Sequence, residues 1–116
     1  MNQSFALTTA QYRAHTKFVT RRNGWKHAYV GQVVTAVEKG QGLKKGEHPV
    51  KLGQHRFTDL RWERLDRMLT EPEYGAREVI LEGFPDMTPA EFVAMYCKHN
   101  RCAPDMLVHR MAFEYL

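Results

Sequence analysis

"TKFVTRRNGW", residues 16–25, decides how this chain is read. Phe18, Val19 and Thr20 are β-prone, and Asn23-Gly24 is a turn signal. Just upstream, "TTAQ" offers Thr8 as a helix cap, with Gln11 three residues on to complete a capping box. The stretch is therefore a junction, where a brief helix over residues 9–15 runs into a strand that ends in a turn. Lys17, Thr20, Arg21 and Arg22 surround that strand, and Trp25 follows it. Two readings are open: a solvated basic edge strand, or a nucleotide-facing site.

Working outward, residues 5–7 read as a first strand, and "QVVTAVE" (32–38) as another, with valines at 33, 34 and 37. "KGQGLKKGEHPVKLG" (39–53) holds four glycines, four lysines and a proline, a long loop of the kind that often carries function. "HRFTDLRWER" (55–64) reads as a strand whose apolar positions, Phe57, Leu60 and Trp62, change parity, placing a bulge near Asp59. Residues 74–84 offer a short helix broken at Gly83 and Pro85. "TPAEFVAMYCKH" is the clearest helix: Thr88 caps it, Pro89 opens it, Glu91 closes the box, and Phe92, Met95 and Tyr96 share one face. The alternation of "LVHRMAFEYL" (107–116) is that of a strand. The pattern is α+β: a mostly antiparallel sheet, closing into a small barrel, with two or three inserted helices.

With 116 residues, the length prior is one domain spanning 1–116, large enough for a hydrophobic core. A hydrophobic fraction of 43% argues against disorder. No apolar run approaches the roughly 18 residues of a membrane helix. The N-terminus lacks the basic-then-apolar pattern of a signal peptide, and Cys97 and Cys102 make no disulfide framework. A soluble cytoplasmic protein is expected. The net charge of +4 hides an asymmetry: residues 1–57 hold ten Lys/Arg against Glu38 and Glu47, while residues 58–116 hold seven against eleven acids. Such a split points to an anionic partner, nucleic acid being the commonest, or to two halves that pair with each other.

Several constellations carry chemistry. A buried lysine can act as a base and a threonine as a nucleophile, so Lys17 and Thr20 form a candidate pair. Their spacing puts them on opposite faces of a straight strand. Glu82, in the apolar setting of Val79, Ile80, Leu81 and Phe84, is either a surface carboxylate or a partly buried acid–base group. Lys44, Lys45 and Lys51 in the glycine-rich loop offer contacts to phosphate, though no Walker loop is present; a solvated hairpin is the alternative. Trp25, Tyr29 and Trp62 offer stacking surfaces or core. "CKHNRC" with His109 falls short of a zinc set, so neither metal nor cofactor is expected.

Taken together, these pieces resemble an ASCH domain of the PUA-like superfamily. "HTKFVTRR" is similar to the family's G-K-x-x-T-x-R segment, with His15-Thr16 where the family has glycine. "GQVVTAVEK", "EGF" before a capped helix, and "HRMAFEYL" follow in the family's order, so the resemblance covers residues 5–116. It implies a PUA-like β-barrel and a cleft between the lysine motif and "EGF". Some ASCH proteins hydrolyse N4-acylated cytidines with lysine, threonine and glutamate from these segments, which by position are Lys17, Thr20 and Glu82. Others are RNA-binding or RNA-cleaving. The implied function is an amidohydrolase acting on a modified nucleoside. The alternatives are an RNA-binding module without chemistry and a ribonuclease. Arg21 or Arg22 would then hold a phosphate or oxyanion near the cleft mouth beside Trp25, with Lys44, Lys45 and Lys51 closing over the ligand. At Arg21 an inward-facing strand position would better suit an apolar residue.

Overall fold

The structure is a computed structural model and describes residues 1–40 and 43–116; Gln41 and Gly42 of the glycine-rich loop lie outside the described residues. Five strands, β1 (Asn2–Ser4), β2 (Val19–Arg22), β3 (Val33–Val37), β4 (Lys51–Arg64) and β5 (Leu107–Tyr115), form one sheet in the order β1-β3-β4-β5-β2. The β1–β3 pair is parallel and the others are antiparallel. Among the described residues four helices accompany the sheet: α1 (Thr9–Arg13), α2 (Arg67–Thr70), α3 (Pro72–Leu81) and α4 (Pro89–Asn100).

The α+β class and the mostly antiparallel sheet agree with the sequence; the closed barrel does not. The ladder is open, with β1 and β2 as its two edges. A side chain spans the opening, since Arg22 on β2 donates from Nη2 to the Ser4 carbonyl on β1 at 2.6 Å. We call this gap the seam.

Other local expectations also shift. The first strand lies at Asn2–Ser4 rather than 5–7, and Phe5 instead turns into the core at 1% exposure. Thr8 precedes α1 but makes no capping hydrogen bond; Thr9 bonds back to the Phe5 carbonyl instead. The long loop ends at residue 50, because β4 starts at Lys51. The bulge is where the parity change puts it: the register slips between Phe57 and Asp59, leaving Thr58 without a partner on β5. The capping box of α4 forms in both directions, Glu91 N–H to Thr88 Oγ1 and Thr88 N–H to Glu91 Oε1.

Alternation along β5 sorts two cores. Met111 and Phe113 face inward to Phe5, Tyr12, Val34, Ala36 and Phe57. Val108 faces the other way, where Leu65, Met68, Tyr74, Val79, Phe92, Val93 and Tyr96 pack the helices onto the sheet. Gly75 makes the helix layer this tight: a Cβ there would stand 2.1 Å from the Met68 carbonyl oxygen. The site lies where the two layers meet, at the seam. Among the described residues no helix is long and apolar enough to cross a membrane.

Candidate functional site

Two local devices bring the lysine motif to the end of α3. The helix closes in a left-handed glycine turn: Gly83 has φ +99°, its N–H bonds to Ile80 O, and Phe84 N–H reaches back to Val79 O. This turn leaves Glu82 as the residue that caps the helix, facing the junction. The junction docks on it through Phe18 N–H to Leu81 O at 2.7 Å. Glycine is needed at 83 for a second reason: a Cβ there would meet Gln11 Cγ at 2.9 Å and Gln11 Cβ at 3.0 Å.

Lys17 and Glu82 then meet. Lys17 Nζ donates to Glu82 Oε1 at 2.8 Å and to the Glu82 carbonyl at 2.8 Å, and both side chains are 3% exposed. Burial lowers the Lys17 pKa below its ordinary value, against the opposing pull of the Glu82 charge. Tyr115 fixes the backbone behind the lysine by donating to the Lys17 carbonyl.

Strand alternation separates the next residues. Thr20 and Arg22 pair with Met111 and His109 and face inward; Arg21 pairs with Arg110 and faces the helices. Thr20 is 3% exposed, and its hydroxyl oxygen accepts from Arg22 Nε at 3.1 Å. Among the described residues its own proton has no protein acceptor, and no hydrogen bond joins it to Lys17 or Glu82. Arg22 also lies 5.0 Å from the Phe5 ring centroid, and burial lowers its pKa to about 10.

Arg21, which the sequence reading puts near the cleft mouth as a contact for a ligand anion, has its charge met by carboxylates within the fold. Its guanidinium is wholly buried and committed to carboxylates: Nη1 to Glu82 Oε2 at 2.9 Å, and Nη2 to Glu78 Oε1 at 2.5 Å and Glu63 Oε2 at 3.4 Å. Its Nε is the one buried side-chain polar atom without a partner among the described residues. Although burial opposes the charge, Glu82 and Glu78 hold the Arg21 pKa above its ordinary value. Arg110, opposite Arg21 in register, donates twice to Glu78, at 2.6 and 3.0 Å. Burial disfavours the Glu78 anion, but Arg110 and Arg21 overcome this and bring its pKa down to about 2. Adjacent arginines on neighbouring strands would repel; Glu78 between them makes the arrangement tenable.

The sequence reading missed Glu63, Glu78 and Arg110. One signal was available for Glu78, which precedes Glu82 by four residues and so shares its helix face. The charge asymmetry is settled in part inside the fold: Lys17, Arg21 and Arg56 of the first half all pair with carboxylates of the second.

A cavity of about 600 Å³ opens at the seam. Lys17, Thr20, Arg22 and Glu82 line its polar end, and Phe84, Phe92 and Met95 supply apolar wall. Tyr96, His99 and Asn100 of α4 also reach it. Trp25 is among the residues around the cavity, with its ring edge-on to Phe57. Lys44, Lys45 and Lys51 are exposed and not among its lining; from their loop, Lys39, Gly40 and Pro49 take that place. Tyr29 and Trp62 do not line it either, and Trp62 stacks on His109 at 4.3 Å.

No family model matches the chain, and no curated protein matches it. Among solved structures the chain is similar to the crystal structure of protein EF3133 from Enterococcus faecalis V583, which carries the family description DUF984. The two share 17% sequence identity with a TM-score of 0.61, over 95% of this chain and 70% of that one. At that identity the likeness is one of fold, and what it establishes is that this α+β arrangement has a solved counterpart.

Proposed function

We propose that the chain is an ASCH-type amidohydrolase acting on an acylated nucleoside of the N4-acylcytidine kind, its curled sheet serving as the PUA-like barrel and its cytoplasmic substrate held at the seam. The observation that carries this reading is the Lys17–Glu82 contact of 2.8 Å at the polar end of a cavity of about 600 Å³, with the Thr20 hydroxyl in the same wall. A nucleoside-sized ligand suits that volume.

The chemistry follows from the pair. Burial favours Lys17 as the neutral amine. Lys17 takes the Thr20 proton as Thr20 Oγ1 attacks the acyl carbon. The C–N bond breaks, and the leaving N4 receives a proton delivered through Glu82. Water then hydrolyses the threonyl ester, releasing the acid and restoring Thr20. The sum is amide plus water giving acid plus amine. Lowering the Lys17 pKa by burial makes the neutral amine accessible, which a solvent-exposed lysine would not allow.

The test is hydrolysis of N4-acetylcytidine and longer N4-acyl homologues, followed by release of cytidine. Lys17→Met, Thr20→Val and Glu82→Gln, each checked for native fold, are expected to lower kcat by about 10²–10⁴-fold. A wild type that releases no cytidine from any member of the panel would sink the reading.

RNA binding has less support. Of the ten cations in residues 1–57, Arg13, Lys17, Arg21, Lys39 and Arg56 are engaged by carboxylates, which halves the free positive charge.

A further inference from the structure

We propose that Arg22 is an anion-recognition residue, and that the compound filling this cavity carries a carboxylate close to the group it presents to Thr20. The choice of amide compounds rests on the function proposed above; the anion site rests on the cavity's own charge.

The lining residues include four cations, Lys17, Arg21, Arg22 and Lys39, against one carboxylate, Glu82. Both Glu82 oxygens are taken, Oε1 by Lys17 and Oε2 by Arg21. Arg21 is further matched by Glu63 and Glu78 behind the wall. Lys39 stands at the rim, about half exposed, opposite Glu47 at 3.8 Å. Arg22 has no such match: among the described residues it makes no salt bridge. Two of its nitrogens are bound to neutral oxygens, Nε to Thr20 Oγ1 and Nη2 to Ser4 O, and among the described residues Nη1 has no hydrogen-bond partner. Neutral acceptors position a guanidinium but do not balance its charge. A half-buried cation in a concave wall, fixed by two hydrogen bonds with a third donor left open, is arranged to receive an anion.

The placement narrows the ligand further. Nε and Nη1 belong to one planar group but their N–H bonds point apart, so an oxygen bound at Nη1 lies about 7 Å from Thr20 Oγ1, the reach of a short acyl chain. An anion at the far end of a long ligand would not reach it. A carboxylate on the acyl portion would, as in the monoamide of a four-carbon dicarboxylic acid. The apolar wall of Phe84, Phe92 and Met95 is left for the flat leaving portion.

The first arm needs no turnover. Succinamate and its neutral isostere succinamide are titrated into the protein and followed by amide chemical shifts. The expected result is tighter binding of succinamate by at least about tenfold, weakening as NaCl is raised. In Arg22→Met the two compounds are expected to bind alike, while Arg22→Lys retains part of the preference. The second arm compares kcat/KM for N4-succinylcytidine, its terminal carboxamide and the 5′-monophosphate of N4-acetylcytidine, with the succinyl compound expected to lead. Equal binding of succinamate and succinamide by the wild type overturns the proposal. So does a preference that survives Arg22→Met, or a lead for the 5′-monophosphate, which would put the anion at the distal end. A guanidinium serving only a transient oxyanion would give equal ground-state binding, and is thereby separated. If Arg22→Met does not fold, the wild-type comparison and its salt dependence decide. Succinamate binding without hydrolysis of any amide would leave this site standing and remove the amidohydrolase.

Discussion

On the inner face of the sheet, Tyr12, His55, Gln3 and Met111 form a buried chain of neutral groups. On the outer face, Arg21 gathers three carboxylates. The inner chain is closed. Tyr12 OH meets His55 Nδ1 at 2.9 Å, His55 Nε2 meets Gln3 Oε1 at 2.8 Å, and Gln3 Nε2 reaches Met111 Sδ at 3.7 Å. Because Gln3 Oε1 can only accept, His55 donates from Nε2 and accepts from Tyr12 at Nδ1. Nothing in this chain faces the cavity, and its polar groups are used up on one another. The outer cluster is charged, extends through Glu82 into the cavity wall, and leaves Arg21 Nε unpaired. Buried neutral polarity here holds the fold; buried charge holds an ion pair in readiness beside an open space. That is the pattern expected where a site departs from the economy of a core.

The largest expected effect comes from the outer cluster. Arg21→Leu leaves Glu63, Glu78 and Glu82 without their shared cation, and should destabilise by about 3–5 kcal/mol in urea unfolding at neutral pH. A loss under about 1 kcal/mol would mean that the cluster is not a unit.

The two networks should also separate by pH. Burial lowers the His55 pKa from 6.5 to about 4. Between those values the unfolded chain binds a proton that the folded one refuses, so His55 adds stability above pH 6.5 that is lost as pH falls toward 4. The difference corresponds to about 3 kcal/mol as an upper figure. Glu78, lowered from 4.5 to about 2 by Arg110 and Arg21 despite burial, contributes stability above pH 4.5 that is lost as pH falls toward 2. Stability against pH should therefore descend in two steps, and His55→Gln should flatten the upper one alone. A single step near pH 4 in the wild type would contradict the separation.

Gly83→Ala forces a Cβ onto a left-handed turn and against Gln11. A loss of about 1–2 kcal/mol is expected, with a larger fractional loss of any activity, since Glu82 rides on that turn. The smallest effect belongs to His15, which holds φ +57° and stacks on Tyr115 at 3.9 Å. His15→Gly relieves the backbone and removes the stack, so the two should nearly cancel, to within about 1 kcal/mol.

Much of this was legible in the sequence where the cause is local. The Thr88-Pro89-Glu91 cap, the parity break at Thr58 and the alternation of β5 each depend on neighbours within a few residues. The convergence of Lys17 with Glu82 was legible only through the ASCH resemblance, because 65 residues separate them. Arg21 shows what alternation can and cannot tell. Period two already puts it opposite Thr20 and Arg22, but its partners Glu63 and Glu78 are 42 and 57 residues away. The open seam was not legible at all. Whether a sheet closes depends on how its edges meet, and β1, three residues long and parallel to β3, carries too little pattern to announce that.

The Arg22–Ser4 hydrogen bond is a tether between the two free edges of the sheet. A three-residue edge strand is the part of this fold with least to hold it, and its amides should exchange with solvent ahead of those in β4 and β5. An anion seated on Arg22 would stiffen the guanidinium and, through Ser4, the whole N-terminal edge. Occupancy of the cavity would then be written into the fraying of the first strand, and slowed deuterium uptake at residues 2–5 would report a bound ligand before any reaction is known.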